Sequence, residues 1–471
     1  MNIVILHKDF RINDNPALFY ASLSRKYLII YPYDSRYWMT NGYSNNQFNF
    51  TLECLKELNE KLGFINAKIH VFEGNLSKLK FWIERSHPEC LIHINQSTDV
   101  FYYRELLFNF KKYFHKTERI KIYENFGIQI KNYNREIWSK NWFRIMTTAT
   151  LNSPLENKVK ITSTLPTLEQ FSESLPKIIL SNSSFQTGGE SEAIKILESF
   201  IDSRVNGYSK KMSSPIEAEF SCSRLSPHIS HGSISMRFIY QRLIAALEYS
   251  KYKKDLLSFK KRLHWHCHFI QKLQTEPEIE YKSMHPMCEN LRSESNSELI
   301  EKWILGETGF PFLDACMIFL RKKGWINFRM RAMIMSFASY NLWQPWQKTS
   351  PLLAELFIDY EPGIHISQVQ MQSGVTGINL PRIYSVIKQS KDQDPYAQFI
   401  KSQIPSLKQI NTTKLHNAEL SDYYIDQIVD LNASSKKARE TIWSIRSSRQ
   451  FKTLAKDVYS KHGSRFRRKQ K

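Results

Sequence analysis

IVIL at 3–6, YLIIYPYD at 27–34, KIHVFEG at 68–74, CLIHIN at 90–95 and KIYENFG at 121–127 are short apolar runs separated by stretches of helical periodicity. Strands spaced in this way by amphipathic helices predict a parallel sheet with crossover helices, a Rossmann-like α/β domain over residues 1–134. Such sheets bind ligands outside the carboxyl ends of their strands. No GxGxxG follows the first run, so the common dinucleotide fingerprint is absent.

Downstream the pattern changes twice. From 135 to 190 periodicity fades and Ser, Thr, Asn and Pro accumulate, as in TATLNSPLENKVKITSTLPTLEQ, which reads as an inter-domain connector wrapping over the first domain. From 191 to 410 helical patterns dominate, among them EAIKILESFIDS, ISMRFIYQRLIAALEYS and FPFLDACMIFLRKKG, and predict an all-α domain. A helical, polar extension over 411–471 ends in SKHGSRFRRKQK, where Lys461, Arg465, Arg467, Arg468, Lys469 and Lys471 face no acid. That tail is either a solvated terminus or a non-specific phosphate contact.

Composition narrows the function classes. Sixty-six Lys and Arg against 45 Asp and Glu give a net charge of +21 over 471 residues, which points to a polyanionic partner, nucleic acid first and an anionic membrane surface second. No apolar run approaches the roughly 18 residues of a membrane span, and no signal peptide is expected, so the chain reads as a soluble, intracellular, nucleoid-associated monomer. The six cysteines lack CxxC spacing, which leaves little for a disulfide framework or a cysteine-ligated cluster.

CSRLSPHISHGSIS (222–235), GETGFPFLDACMIFLRKKGWINFRMRAM (306–333), DYEPGIHISQVQMQSG (359–374) and RIYSVIKQSKDQD (382–394), together with HKDFRINDNPAL near the amino end, resemble the DNA photolyase and cryptochrome flavoprotein family over nearly the whole chain. HWHCHF, INFRMRAM and EPGIH look most like its new photolyase-like branch; the cysteines of the iron–sulfur branch are missing. The resemblance implies an N-terminal antenna domain, a helical domain that binds FAD, and an antenna chromophore whose identity the sequence leaves open. Tyr208, Ser223, Arg224, Leu225, Ser226, Arg331, Asp359, Glu361 and His365 fall at its flavin-holding positions.

The residues themselves carry part of that reading. Ser223, Arg224 and Ser226 place hydroxyls and a guanidinium before a helix, chemistry suited to a diphosphate, although the same string serves as a plain N-cap. The resemblance sets Arg331 and Asp359 as a pair against the flavin ring; otherwise they read as a buried ion pair joining two helices. It sets His365 opposite the flavin's reactive nitrogen, where a titrating group would make the redox state pH-dependent. His264, His266, Cys267 and His268 look like metal ligands, yet only His264 and His268 share a helix face, so no metal is expected.

For nucleic acid the resemblance implies a DNA-facing rim with Trp265 stacking on an extruded base, and Arg262, His266, Arg329, Met371 and Gln389 around it. Arg262 stands where many photolyases carry a lesion-contacting carboxylate. Val369, Met371 and Ser293 stand where the family has tryptophans. Trp346 alone keeps the middle of the usual electron wire, with Trp325, Trp343, Tyr360 and Tyr384 as substitutes. The implied activity is light-driven splitting of pyrimidine dimers in ultraviolet-damaged double-stranded DNA, with Asp359, His365, Trp346 and Arg262 as catalytic candidates. Cyclobutane dimers come first, (6-4) photoproducts second, and a light receptor without repair is the rival of a different class.

Overall fold

The computed structural model describes residues 1–464 other than 126, 131–132, 160, 162, 176–184 and 421. Each of the five apolar runs becomes a strand: β1 (Asn2–Ile5), β2 (Tyr27–Tyr33), β3 (Ile69–Glu73), β4 (Leu91–Asn95) and β5 (Ile120–Tyr123). They pair in parallel in the order β3-β2-β1-β4-β5, with Ile3 opposite Leu28 on one side and Ile92 on the other. Ile3, Val4 and Ile5 of the central strand are fully buried. Helices cover both faces there, which is why the run is continuously apolar instead of alternating.

The chain builds outward from β1 in one direction, then returns to build in the other, so the strand order reverses between β1 and β4. The loops that leave these two strands meet at that crevice. Asn15 caps the helix Pro16–Ser22 by accepting from the Leu18 amide, and its own amide donates to the carbonyls of Asp9 and Arg11. Asn95 locks the other loop to it, donating to Asp9 Oδ2 and Asn15 Oδ1, both at 2.7 Å.

The connector does wrap over the first domain. Tyr27 Oη donates to the Leu155 carbonyl, Asn157 satisfies both backbone groups of Tyr27, and Thr167 forms an antiparallel bridge with His70 at the β3 edge. Its opening stretch joins the helical part instead: Trp138 and Trp142, on the helix Trp138–Thr147, are fully buried in a core with Tyr240, Leu243 and Leu263. The helix Lys253–Thr275 runs through this region and packs along Pro362–Gln372. Of the basic tail, Arg465, Arg467, Arg468, Lys469 and Lys471 lie outside the described residues.

The helical part is seated on the crevice by polar contacts. Arg11 donates to the Gly232 carbonyl, Arg237 pairs with Asp14, and Glu190 accepts from the amides of Ile12 and Asn13. At Gly232 (φ +70°) an added Cβ would lie 1.9 Å from the Lys8 carbonyl oxygen. Only glycine meets both the backbone angle and the close approach. Gly232→Ala is therefore expected to cost at least ~2 kcal/mol in urea unfolding; wild-type stability would show that the two surfaces are not tightly seated there.

Candidate functional site

Asp359 and Arg331 form the best-defined pair in the helical part. Arg331, on the helix Phe328–Ser336, donates from Nη1 and Nη2 to the two oxygens of Asp359 at 2.9 and 2.8 Å, and from Nε to the Ile326 carbonyl at 2.7 Å. A planar fork on a carboxylate is the strongest form of such a bond and fixes both groups in orientation. The chain before Asp359 is pinned from three sides: Gln47 of the first domain donates to the carbonyls of Ala354 and Phe357, the Ile358 amide donates to the Gly324 carbonyl, and His231 Nε2 donates to the Ile358 carbonyl.

The loop 222–226 brings a concentration of positive charge. Arg224 sits in the left-handed region (φ 61°), stacks its guanidinium 3.8 Å from the Trp325 ring centroid, and exchanges bonds with Gln186. Its Nη1 is buried without a hydrogen-bond partner among the described residues. Burial pushes the guanidinium down to about 10, with Glu219 and Asp359 only partly offsetting this. The following helix, Ser226–Ser230, is a single turn. The anticipated dipole contribution is correspondingly slight, and the anion-holding capacity rests on Arg224 and the hydroxyls of Ser223 and Ser226. Leu225 is fully buried and anchors the loop; Tyr208 is buried beside it against Phe200 and Phe259.

His365 is enclosed by Phe357 and Tyr360, and its Nε2 donates to the Ser350 carbonyl at 3.0 Å. Burial pushes it down to about 4. The imidazole is therefore neutral at physiological pH, and the pH-dependent redox behaviour anticipated from sequence does not arise from it in the neutral range. Glu361 accepts from the Gly363 amide and faces Lys8 Nζ at 3.9 Å across the domain junction; burial pushes its carboxyl up to about 7.

On the rim, Trp265 is 42% exposed and touches His268 and Phe269. Phe328, which the sequence reading passed over, is 44% exposed and lies between Arg262, 5.0 Å from its ring, and Arg329 at 5.6 Å. Met371 is half-buried, and Gln389 is buried with its Oε1 lacking a partner among the described residues. Among the described residues no three His, Cys, Asp or Glu side chains gather as a metal site needs. His264 packs instead among Trp138, Trp142 and Phe143. Trp346 is buried, donating to Ser283 Oγ, and among the described residues no aromatic ring pairs with it.

Two family models match this chain: DNA photolyase over residues 2–112 and the FAD binding domain of DNA photolyase over residues 259–444. The chain belongs to the photolyase/cryptochrome family. A deoxyribodipyrimidine photo-lyase of Alkalihalophilus pseudofirmus is 29% identical over 265 residues, 53% of this chain and 54% of that protein, so the match spans about half of that relative. Cryptochrome-1 of Spalax judaei is 24% identical over 443 residues, 85% of this chain and 73% of that protein. An archaeal photolyase from Sulfolobus tokodaii, solved with two FAD molecules, superposes with a TM-score of 0.80 at 22% identity, covering 94% of this chain and all of that one. A Synechocystis cryptochrome gives 0.81 at 19% identity, covering 94% and 99%.

The residues present fit the family's FAD. A buried guanidinium nitrogen at Arg224 without an acceptor among the described residues, beside two hydroxyls, is the chemistry a diphosphate satisfies. Cys222, in the same loop, lies in the field of Arg204, Arg224, Arg262 and Arg331, a surplus that favours a dianion. Among the described residues no helix is long and apolar enough to cross a membrane.

The buried histidines set the protein's acid response. Burial pushes His93, His228, His264, His266 and His365 down to about 4 and His231 to about 3, whereas Asp9 and Asp314 are raised to about 6 and Glu361 to about 7. Between pH 6.5 and 4 the unfolded chain takes up histidine protons that the fold refuses, so these six groups lose stability as pH falls. The three acids act in the opposite sense and are outnumbered. The melting temperature is expected to drop from pH 7 to pH 5; a constant or rising value would contradict this balance.

Proposed function

We propose that the protein repairs cyclobutane pyrimidine dimers in DNA, a light-driven carbon–carbon lyase reaction in which bound, fully reduced FAD supplies the blue-light absorption and the electron. The observation that carries this reading is the rim, where Trp265 and Phe328 stay exposed beside Arg262 and Arg329. Exposed aromatic rings flanked by guanidiniums suit extruded bases and their phosphates, at about 1–3 kcal/mol for each stacked base. A damaged step stacks poorly, so its extrusion is easier and selects the lesion.

Behind the rim each residue has a task. Ser223, Arg224 and Ser226 hold the diphosphate. Arg331 holds Asp359 in a fixed orientation through its two-pronged hydrogen bond. Because His365 Nε2 donates to Ser350, Nδ1 is left as an acceptor, and a neutral imidazole of this tautomer accepts a proton-bearing nitrogen without giving one up.

Neutral histidines favour cyclobutane dimers over (6-4) photoproducts. Protonating a (6-4) lesion calls for a charged imidazole, and burial holds both His365 and His266 at about 4. The receptor reading draws support from Arg262 standing where a carboxylate contacts the lesion in many repair enzymes, and from the cryptochromes among the relatives. Blue-light illumination with oligonucleotides carrying each lesion separates these outcomes: cyclobutane repair is expected, and turnover of neither lesion would favour the receptor.

Arg262 is expected to act on the lesion itself. Its five donors can hold carbonyl oxygens, and its charge stabilises an electron-rich dimer. In Arg262→Gln the repair yield per absorbed photon on saturated substrate should fall severalfold. Weaker binding at normal yield would reduce Arg262 to a phosphate contact.

A further inference from the structure

Aromatic rings in contact run without a break from the residues beside Asp359 into the first domain. Tyr360, buried between Asp359 and Glu361, has its ring 5.4 Å from that of His365 and 5.0 Å from that of Tyr43. Tyr43 lies 4.4 Å from Tyr37 and 5.6 Å from Trp38, and Tyr37 lies 5.0 Å from Trp38. Trp38 is 8% exposed and next to Met39, which is 84% exposed, so the series ends just beneath the surface. Trp346, at the family position for the middle of the electron wire, has no such neighbour among the described residues. Electron transfer weakens steeply with distance, so the path of touching rings is the favoured one.

Protons on this path are provided for at one point. Tyr43 Oη donates to Asp99 Oδ1 at 2.6 Å, and Tyr37 Oη donates to Asp99 Oδ2 at 2.9 Å. Asp99 is fully buried and ionised beside Lys8 Nζ at 3.2 Å. The Tyr360 hydroxyl donates only to the Asn41 carbonyl, which cannot take a proton. A phenol that loses an electron becomes a much stronger acid, so the oxidised state comes to rest where a carboxylate receives the proton. Tyr43 and Tyr37 both meet that condition, and Tyr43 is the one whose ring meets Tyr360, which serves as the bridge.

We propose that Tyr360, Tyr43 and Trp38 form an electron relay that feeds the flavin site from just beneath the surface of the first domain, with Asp99 as the proton acceptor of Tyr43. The inference rests on the FAD assignment. In each light-driven pass one electron leaves Tyr43 through Tyr360, and the Oη proton moves to Asp99. Trp38 then returns an electron to Tyr43 while the proton moves back, and a solvent thiol re-reduces Trp38. Two passes and one solvent proton take oxidised flavin to the fully reduced anion, with two thiols leaving as a disulfide and two protons.

The test uses the full-length protein with FAD and dithiothreitol. The dark flavin spectrum is recorded first: a wild-type protein that binds no FAD would sink the cofactor assignment, and with it the premise, before any relay residue is changed. Under blue light Tyr43→Phe, Tyr360→Phe and Trp38→Phe are each expected to slow flavin reduction at least tenfold, and time-resolved electron paramagnetic resonance should show a tyrosyl radical in wild type that Tyr43→Phe abolishes. Tyr43 and Trp38 lie outside the proposed flavin site, so they decide the question even if Tyr360→Phe loses the cofactor. Wild-type reduction rates in Tyr43→Phe and Trp38→Phe, with the radical signal intact, would overturn the relay.

Discussion

A single buried carboxylate, Asp99, organises the junction on which the rest of the molecule is arranged. It accepts from Tyr37, Tyr43 and the Val100 amide and faces Lys8 and His7. Burial alone would push its carboxyl up; Lys8, His7 and Tyr43 outweigh this and hold it well below the usual carboxylate range. His7, in contrast, is lowered by burial and stacks 3.6 Å from Tyr103, so it serves as a neutral donor. Taking one member out of such a buried set leaves a charge uncompensated, about 3–5 kcal/mol, which makes the loops after β1 and β4 one unit.

That unit determines how the helical part can sit. Lys8 reaches toward Glu361 and its carbonyl meets Gly232, while Tyr43, in the segment after β2, meets Tyr360 beside Asp359. Gln47 adds a fourth contact from the helix Asn45–Gly63, through the carbonyls of Ala354 and Phe357. The first domain thereby holds one wall of the candidate flavin site in register. The Arg331–Asp359 fork gains from this rigidity, because a partly buried pair is favourable only when its geometry is held and its remaining hydrogen bonds are met.

Much of this was legible in the sequence and some was not, for definite reasons. The five strands were readable because buried parallel strands are short apolar runs, and Arg331 with Asp359 because a motif fixes both. The Asp99 set joins residues 7, 8, 37, 43 and 99, and no local pattern records that convergence. Phe328 looked like one more apolar residue of a helix; its exposure between two arginines appears only in three dimensions. The helix after Leu225 is only one turn long, because Gly232 turns the chain at φ +70°. His365 read as titratable because its enclosure by Phe357, Tyr360 and Ser350 comes from separate segments.

The same geometry bears on why the family's tryptophan positions can be vacated here. Val369 is buried in the core and Met371 lies half-buried on the helix Pro362–Gln372, so packing no longer depends on indole rings at either place. A flavin site still needs electrons if it is to stay reduced, and redox-active rings are useful only in contact with one another. With no aromatic ring paired with Trp346 among the described residues, the proposed relay assigns that requirement to the domain junction, where Tyr360 meets Tyr43. Docking of the two domains also closes a ring-to-ring contact that crosses from the candidate flavin site to the Asp99 set. A separation of the two domains by a few ångströms would break that contact. The close approach at Gly232 and the ring contact between Tyr360 and Tyr43 are two consequences of one constraint, the seating of a helical domain on the crevice between β1 and β4.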